Sequence, residues 1–219
     1  MLASYTFNSQ YRPLQEQDRL WPSLRLLEGG KFSPHQFAPT LIREQEEIRL
    51  HFYKWGLVPH WSETYQGCKS RLFLSHEQML SHPAYQVPLK KRRCLIPADG
   101  FYVEKRHARG KRTYKAMMTE GETFCFAGIY DAWRQADGSL QYTFAILTAP
   151  TPLHRQGFGL QSPMIVPRQW EQAWLNPRTP IQNIEALLRT PVQDQMIWHP
   201  VEELSLTDTH AGVIEHVAA

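Results

Sequence analysis

Residues 90–104, KKRRCLIPADGFYVE, constrain the fold more than any other stretch of the chain. Four consecutive cations run into an apolar segment, then a Pro-Ala-Asp-Gly sequence, then a second segment rich in aromatic residues. Asp-Gly pairs favour chain reversal, because glycine tolerates a positive φ and aspartate hydrogen-bonds nearby backbone groups. We therefore predict a strand, a tight turn at Asp99-Gly100 and a second strand, which together form a β-hairpin with a positive field at one end.

Length and composition predict a folded chain. The 219 residues, 42% of them hydrophobic, can bury a sizeable core. No linker, internal repeat or low-complexity segment divides them, so one domain over residues 1–219 is the simpler prediction. Three cysteines without a CxxC spacing argue against a disulfide scaffold or a zinc site, and we expect no metal or other cofactor. Neither a signal-peptide pattern nor an apolar run of membrane-spanning length is present, which predicts a soluble, cytoplasmic protein.

The charge is unevenly distributed. The net charge is only +3, but residues 90–115 hold ten lysines and arginines against two acids, Asp99 and Glu104. Such clustering is expected of a nucleic-acid binder. A solvated, charged rim on a hairpin explains the same pattern, so charge alone leaves both interpretations open.

The hydrophobic pattern predicts many strands and few helices. Residues 48–57 alternate, with Ile48, Leu50 and Phe52 assigned to one face of a strand. The proline at position 39 marks residues 37–42 as an edge segment or loop. Further strands are predicted at residues 113–119, 123–129, 142–148 and 196–201, and residues 1–12 suit a short strand or a buried N-terminal arm. Helices are predicted at residues 14–28, 169–175 and 181–189, and a short helix within residues 75–89 is predicted to end near Pro83. Because no regular βαβ alternation is present, we predict an α+β fold with a mainly antiparallel sheet.

Five stretches, taken in chain order, resemble a single family. They are residues 55–61 (WGLVPHW), 91–102 (KRRCLIPADGFY), 126–133 (FAGIYDAW), 144–148 (FAILT) and 198–201 (WHPV). Together they look like the SRAP family, the SOS-response-associated peptidases, over nearly the whole chain. The resemblance implies one α+β domain with a barrel-like sheet. It also implies binding to single-stranded or abasic-site DNA in a basic groove, as part of the SOS response to DNA damage.

The resemblance also implies a particular chemistry. In the family, removal of the initiator methionine frees a cysteine directly after it. The amine and thiol of that cysteine capture the ring-opened aldehyde of an abasic site as a stable thiazolidine, with help from an asparagine, a glutamate and a histidine. The same groups are credited with autoproteolytic release of the N-terminus.

This sequence departs from the family pattern at all four of those positions. The residues that stand there are Leu2, Lys69, Val103 and Gly159. A large second residue generally prevents removal of Met1, so we expect no 1,2-aminothiol. The asparagine motif is best placed at residues 69–71 and alternatively at residues 73–75, and neither placement contains asparagine. We therefore predict a scaffold that has lost the family's catalytic groups.

Three residues near these positions are weak substitutes: Glu104, His154 and Cys68. Adjacent residues of a strand point to opposite faces, so only a β-bulge would turn Glu104 inward. His154 would need a local rearrangement of the chain around it. Cys68 is either a displaced nucleophile or a small buried hydrophobe, and Cys94 and Cys125 are predicted to pack in strands.

The resemblance indicates which residues could hold DNA. Single-strand binding needs cations for the phosphates and aromatic faces for the bases. Arg71 keeps the family arginine, and Trp61 matches a loop tryptophan that lies against DNA, whereas Trp55 is expected in the core. Ser4 and Gln161 replace family arginines. The complete set of predicted DNA-binding residues is Arg71, Lys69, Trp61, Pro39, Lys90, Lys91 and Arg92.

Three functional hypotheses follow. The first is a catalytically degenerate SRAP-like protein, or pseudoenzyme, that binds single-stranded or abasic-site DNA without a covalent bond. The second is an active enzyme that cross-links or cleaves abasic-site DNA, or acts as an autopeptidase, through the amine of Met1 or through Cys68. The third is a protein-interaction module, for example of a mobile element, that no longer binds DNA.

Overall fold

The computed structural model describes residues 2–8, 29–62, 71–108, 110–150, 161–188 and 196–201. The strands are β1 (Leu2–Phe7), β2 (Gly30–Phe32), β3 (Phe37–Glu44), β4 (Glu47–Trp55), β5 (Phe73–Ser75), β6 (Arg93–Ala98), β7 (Gly100–His107), β8 (Gly110–Met118), β9 (Phe124–Arg134), β10 (Leu140–Pro150), β11 (Gln161–Pro163), β12 (Ile165–Val166) and β13 (Met196–Pro200). The helices are α1 (His76–Ser81), α2 (Pro83–Lys91), α3 (Glu171–Leu175) and α4 (Ile181–Leu188), with a 3₁₀ helix at Arg168–Trp170. Among the described strands only the pairings of β10 with β4 and β5 are parallel. The predicted α+β fold with mainly antiparallel strands is confirmed.

The strands form two sheets that share an aromatic core. One sheet has five strands in the order β13-β8-β7-β1-β2. The other has eight, with the path β11-β10-β4-β3-β6-β9-β12 and β5 beside β10. Tyr5 of the first sheet lies 5.5 Å from Trp55 of the second, and Phe101 lies 5.6 Å from Phe126, measured between ring centroids. These rings are fully or almost fully buried, as expected for the predicted barrel-like arrangement.

A second core lies between the eight-stranded sheet and the helices. Leu41 and Leu95 of the sheet belong to the same buried cluster as Met79, Leu89 and Trp174 of the helices. The sheet is therefore covered on both faces, which explains why β6 is buried along its whole length. No described helix is long and apolar enough to cross a membrane.

The chain turns a corner at Asp99-Gly100 and does not form the predicted hairpin. β6 pairs with β3 and β9, whereas β7 pairs with β1 and β8, so the two strands belong to different sheets. The Asp99 N–H donates to the Thr6 carbonyl (2.9 Å), and Thr6 Oγ1 donates to the Asp99 carboxylate. Gly100 is not among the glycines with positive φ. The position is tight instead, since a Cβ there would lie 2.7 Å from Lys115 Cε, at the end of a flexible side chain, and 3.1 Å from the Ala116 carbonyl oxygen.

The prediction for residues 37–42 is wrong in part, and the strand predicted at residues 48–57 is confirmed as β4. Pro39 lies buried inside β3, opposite Phe52, and not in a loop. The strand tolerates a residue without an N–H at this position because β3 pairs with β6 only further along, at Leu41 and Ile42. No strand on the β6 side therefore needs a hydrogen bond from residue 39. β4 alternates as predicted. Its odd-numbered face meets the aromatic core, so Tyr53 is only 5% exposed whereas Phe52, on the other face, is 37% exposed.

The short helix predicted within residues 75–89 to end near Pro83 is confirmed as α1, and a second helix, α2, follows it directly. Ser75 caps α1 through its side chain, which accepts from the Gln78 N–H (3.2 Å), while the Gln78 side chain accepts from the Ser75 N–H. Pro83 ends that helix and begins α2 at the first-turn position that proline favours. The predicted strands at residues 113–119, 123–129, 142–148 and 196–201 are confirmed as parts of β8, β9, β10 and β13. The helix predicted at residues 14–28 lies outside the described residues.

Candidate functional site

Leu2 and Val103 face each other across β1 and β7. They are register partners in the five-stranded sheet, and their side chains are 6% and 9% exposed. Both belong to the aromatic core cluster, so they point inward. The two positions for which the resemblance implies a cysteine and a glutamate therefore lie side by side, and both carry apolar side chains.

A cavity of about 360 Å³ opens beside Leu2. This volume lies in the range of small-ligand pockets. Of the described residues that line it, Arg71 alone is charged, and the Gln161 side-chain oxygen is buried with no hydrogen-bond partner. The complete described lining is Leu2, Arg71, Phe73, Ser75, Gln78, Thr148, Gln161 and Pro163. The cavity thus offers one cation, several neutral polar groups and an apolar floor.

Arg71 is fixed at its backbone and exposed at its side chain. Its N–H donates to the Leu57 carbonyl (3.0 Å) and its carbonyl accepts from the Leu57 N–H (2.9 Å). Beside it, the Trp55 indole donates to the Leu72 carbonyl (3.0 Å), and Trp55 is fully buried as predicted. Among the described residues, none forms an ion pair with the Arg71 guanidinium.

Glu104 lies on the opposite face from Val103. The register of β7 with β8 runs without interruption from Gly100 to His107, so no bulge in that pairing turns Glu104 inward. Lys111 donates to its carboxylate at 2.7 Å, and this hydrogen bond lowers the pKa of Glu104 below its usual value. Glu104 is therefore an exposed partner of Lys111 and does not line the cavity.

The loop that carries Trp61 is tied to the sheet on both sides. The Val58 N–H donates to Thr143 Oγ1 (2.9 Å), and the Trp133 indole donates to the Ser62 carbonyl (2.7 Å). The Trp61 side chain is nevertheless 59% exposed. A large aromatic face held on a fixed loop is suited to stacking on a planar ligand.

The buried carboxylate of Asp131 joins this loop to Arg92. Asp131 accepts from the backbone N–H and from Nδ1 of His60, both at 2.9 Å, and from the Arg92 guanidinium. Its side chain is 1% exposed, against 51% for His60 and 33% for Arg92. We call Arg92, His60 and Asp131 the Asp131 clamp. The clamp holds the loop of Trp61 through a charge that is paired on two sides.

The cationic run at residues 90–93 is divided by the structure. Lys90 and Lys91 are exposed in the last turn of α2, where their positive charges interact favourably with the negative end of the helix dipole. Arg93 is buried and donates to the carbonyls of Leu89 (2.8 Å), Trp174 and Asn176. Burial lowers the pKa of Arg93 to about 10. Neither Lys90, Lys91 nor Arg92 lines the cavity, and Arg93 is a structural residue.

Several predicted positions lie outside the described residues, namely Met1, Cys68, Lys69, His154 and Gly159. Cys94 and Cys125 are fully buried cysteines of β6 and β9 that are not in a disulfide, and burial raises the pKa of Cys94. Pro39 is absent from the described cavity lining. Within the described parts of the chain, no three His, Cys, Asp or Glu side chains are grouped so that they could hold a metal ion.

The Asp131 clamp was not predicted from the sequence. His60 and Asp131 both stand inside stretches that carry the family resemblance, WGLVPHW and FAGIYDAW. They are 71 residues apart, and Arg92 is 39 residues from Asp131, so local spacing does not connect them. The available signal was an acid in an otherwise apolar strand, which requires a partner when buried.

Comparisons with known proteins agree on one family. The model of the family described as SOS response associated peptidase (SRAP) matches residues 16–204. The abasic site processing protein YoqW of Bacillus subtilis (strain 168) is 28% identical over 209 residues, which cover 93% of each chain. The abasic site processing protein HMCES of Gallus gallus is 32% identical over 146 residues, covering 52% of this chain and 44% of that protein.

Solved structures show the same fold. A protein from Bacteroides thetaiotaomicron has a TM-score of 0.77 at 21% identity, with 94% of each chain covered. A phage-related protein from Bordetella bronchiseptica has a TM-score of 0.68 at 23% identity, covering 92% of this chain and 94% of that one.

Proposed function

The chain belongs to the SOS response associated peptidase (SRAP) family, and we propose that it binds single-stranded DNA, including DNA with abasic sites, without forming a covalent bond. The abasic-site role follows the names of its relatives, the abasic site processing proteins. In this proposal the scaffold keeps the DNA groove and lacks the groups that would react with the sugar.

The observation that carries the proposal is the pairing of Leu2 with Val103 beside the cavity. A thiol and a carboxylate are the groups expected at these positions, and neither leucine nor valine can exchange a proton or attack an aldehyde. Glu104, the nearest carboxylate in sequence, is held on the other face by Lys111. General acid–base catalysis requires a group within hydrogen-bond reach of the reacting atom, and no described residue of the lining supplies a carboxylate, thiol or imidazole.

Two exposed groups support DNA binding. Arg71 brings an exposed guanidinium to the edge of the cavity, where a phosphate can accept its hydrogen bonds. Trp61 offers an exposed ring on a loop tied to the sheet by the Asp131 clamp. A cation for the phosphate and an aromatic face for the base are the two elements of single-strand recognition.

The test of binding uses fluorescent single-stranded oligonucleotides, with and without one abasic site, titrated at several salt concentrations. We expect binding that weakens as salt rises. Trp61→Ala should lose about 1–3 kcal/mol of binding free energy, the usual contribution of one stacked base. The matched control is Trp170→Ala, since Trp170 is also a half-exposed tryptophan (42%) but stands on the 3₁₀ helix.

The salt slope is the slope of the logarithm of the binding constant against the logarithm of the salt concentration. Arg71→Gln should reduce its magnitude by about 0.7, the contribution of one phosphate contact on a single strand. Arg134→Gln is its matched control, because Arg134 is an exposed arginine whose described contact is with the Gly138 carbonyl (3.0 Å). Absence of salt-sensitive binding by the wild type would overturn the proposal and favour a protein-interaction module.

The absence of a covalent bond is tested with the same abasic-site DNA, with and without borohydride, on a denaturing gel. We expect neither a shifted band nor a cleaved strand. A borohydride-dependent shift would identify an active amine such as that of Met1. A shift without borohydride that Cys68→Ser abolishes would identify a thiol. Either result would overturn catalytic degeneracy while leaving DNA binding in place.

A further inference from the structure

The β7–β8 hairpin continues the face on which Leu2 and Val103 lie. In an antiparallel pair, residues directly opposite each other share a face. Val103 is opposite Tyr114, Lys105 is opposite Arg112, and His107 is opposite Gly110. Since alternate residues of a strand also share a face, the face of Leu2 and Val103 extends along the hairpin through Tyr114, Lys105, Arg112 and His107. We call this the inner face of the hairpin.

The inner face is cationic beyond Val103. The described charged side chains on it are Lys105 and Arg112, and His107 adds an imidazole ring near the tip. The carboxylate in this part of the hairpin, Glu104, lies on the opposite face and is bound by Lys111. The described register positions of the inner face beyond Val103 therefore hold two cations and no carboxylate.

Tyr114 orders the side chains on this face. Lys105 Nζ lies 5.6 Å from the centroid of the Tyr114 ring, and the His107 ring stacks on Tyr114 with centroids 6.1 Å apart. Cation–π contact and stacking restrict both side chains, so less conformational entropy is lost when they bind a ligand. Lys105 and His107 are thus held near the same side of the hairpin.

We propose that the inner face of the hairpin is a second DNA-binding surface, which holds the phosphates of the strand as it leaves the cavity. This inference rests on the proposed function. The four residue steps from Val103 to His107 span about 13 Å at the rise of a strand. At about 3.4 Å per nucleotide of a stacked strand, this length matches about four phosphates. The hairpin therefore extends the footprint on one side of the abasic site.

The opposite face of the same hairpin provides the control. Arg106 and Lys111 lie there, directly opposite each other, and are exposed. The inner-face variant is Lys105→Gln with Arg112→Gln, and the outer-face variant is Arg106→Gln with Lys111→Gln. Both remove two positive charges from the same two strands, so a general electrostatic effect would weaken DNA binding equally in both. Thermal unfolding and circular dichroism check that both variants fold like the wild type.

The measurement is the salt dependence of binding to single-stranded abasic-site DNA. Losing two phosphate contacts should lower the salt slope of the inner-face variant by about 1.4. Lowering salt from 200 to 50 mM should then strengthen wild-type binding about sevenfold more than binding of the inner-face variant. The outer-face variant should keep the wild-type slope. Oligonucleotides extended by about four nucleotides to the 5′ or the 3′ side should bind the wild type more tightly on one side only, and the inner-face variant should lose that gain.

The outcomes separate this inference from the proposed function. Salt-sensitive binding by the wild type, with equal slopes for the inner-face and outer-face variants, would overturn the second surface and leave the proposed function standing. A gain from extension that persists in the inner-face variant would also overturn it. A wild type that does not bind single-stranded DNA would overturn both.

Discussion

Replacing Asp131 by asparagine should destabilise the protein strongly, although the change is nearly isosteric. The carboxylate is 1% exposed and accepts hydrogen bonds from the Arg92 guanidinium, from two groups of His60 and from the Ala132 N–H. All of these partners are donors. An asparagine amide keeps one accepting oxygen, but its NH₂ group is a donor and would face other donors. The hydrogen bonds on one side of the Asp131 clamp are therefore lost.

The magnitude follows from the burial of the clamp. Hydrogen bonds to charged groups contribute about 1.5–3 kcal/mol each, and breaking a buried ion pair costs about 3–5 kcal/mol. Because the Arg92 side chain is 33% exposed, water recovers part of its solvation, and the lower end applies. We expect Asp131→Asn to lower the free energy of unfolding by about 3 kcal/mol. For a chain of this size that corresponds to a fall in Tm of about 6–12 °C.

Urea and thermal unfolding measure this loss, with Asp137→Asn as the control. Asp137 also accepts two hydrogen bonds, from the N–H and the hydroxyl of Ser139 (2.9 and 2.6 Å), but it is exposed, so its midpoint should not move measurably. Affinity for single-stranded DNA should fall with Asp131→Asn as well, because the loop of Trp61 loses an anchor. A loss of unfolding free energy below about 1 kcal/mol would refute the argument that the buried charge organises this loop.

Three further predictions concern the site and the core. Leu2→Cys restores the residue that the family resemblance implies. If mass spectrometry shows that this variant lacks Met1, it should form a cross-link to abasic-site DNA that survives a denaturing gel. The absence of a shifted band would contradict the assignment of this position. Gly128→Ala should lower the unfolding free energy by about 2 kcal/mol, measured in urea, because its Cβ would lie 2.4 Å from Ile96 Cδ1 and 3.0 Å from the Ala145 carbonyl; an unchanged midpoint would be inconsistent with the packing. Burial raises the pKa of Tyr130 to about 12, above its value in the unfolded chain. The contribution of Tyr130 to the free energy of unfolding is therefore complete below about pH 10 and is lost as the pH rises toward 12. The free energy of unfolding measured across that range should depend less on pH in Tyr130→Phe than in the wild type, and identical pH profiles of the two proteins would disprove the shift.

The sequence predicts most strands of this fold but not all of their partners. Alternation and turn residues are local signals, and they locate β4, β8, β9, β10 and β13. At Asp99-Gly100 the same local signal fits a hairpin and a corner between sheets equally well. Which of the two forms is decided by distant strands: β3 and β9 pair with β6, and β1 and β8 pair with β7.

The site was predictable only in outline. The resemblance indicated that positions 2 and 103 belong together, and strand alternation indicated that Glu104 faces away from Val103. The residues alone could not have shown that Leu2 and Val103 are neighbours, because 101 positions of chain separate them and only the β1–β7 pairing joins them. The Asp131 clamp escaped prediction for the same reason, since its members come from a loop, a helix end and a strand.

Because β6 and β7 do not pair with each other, folding cannot begin with the formation of a local hairpin between Arg93 and His107. β6 must wait for β9, which follows only after β7 and β8, whereas β7 can pair locally with β8. β1, at the start of the chain, can pair with β7 only after β7 exists. Closing such long loops slows folding relative to chains of local hairpins. During synthesis the first strand therefore emerges about a hundred residues before its partner β7, although its other partner, β2, follows it sooner. A peptide of residues 90–104 should remain unstructured in water, whereas one that spans β7 and β8 contains its own pairing.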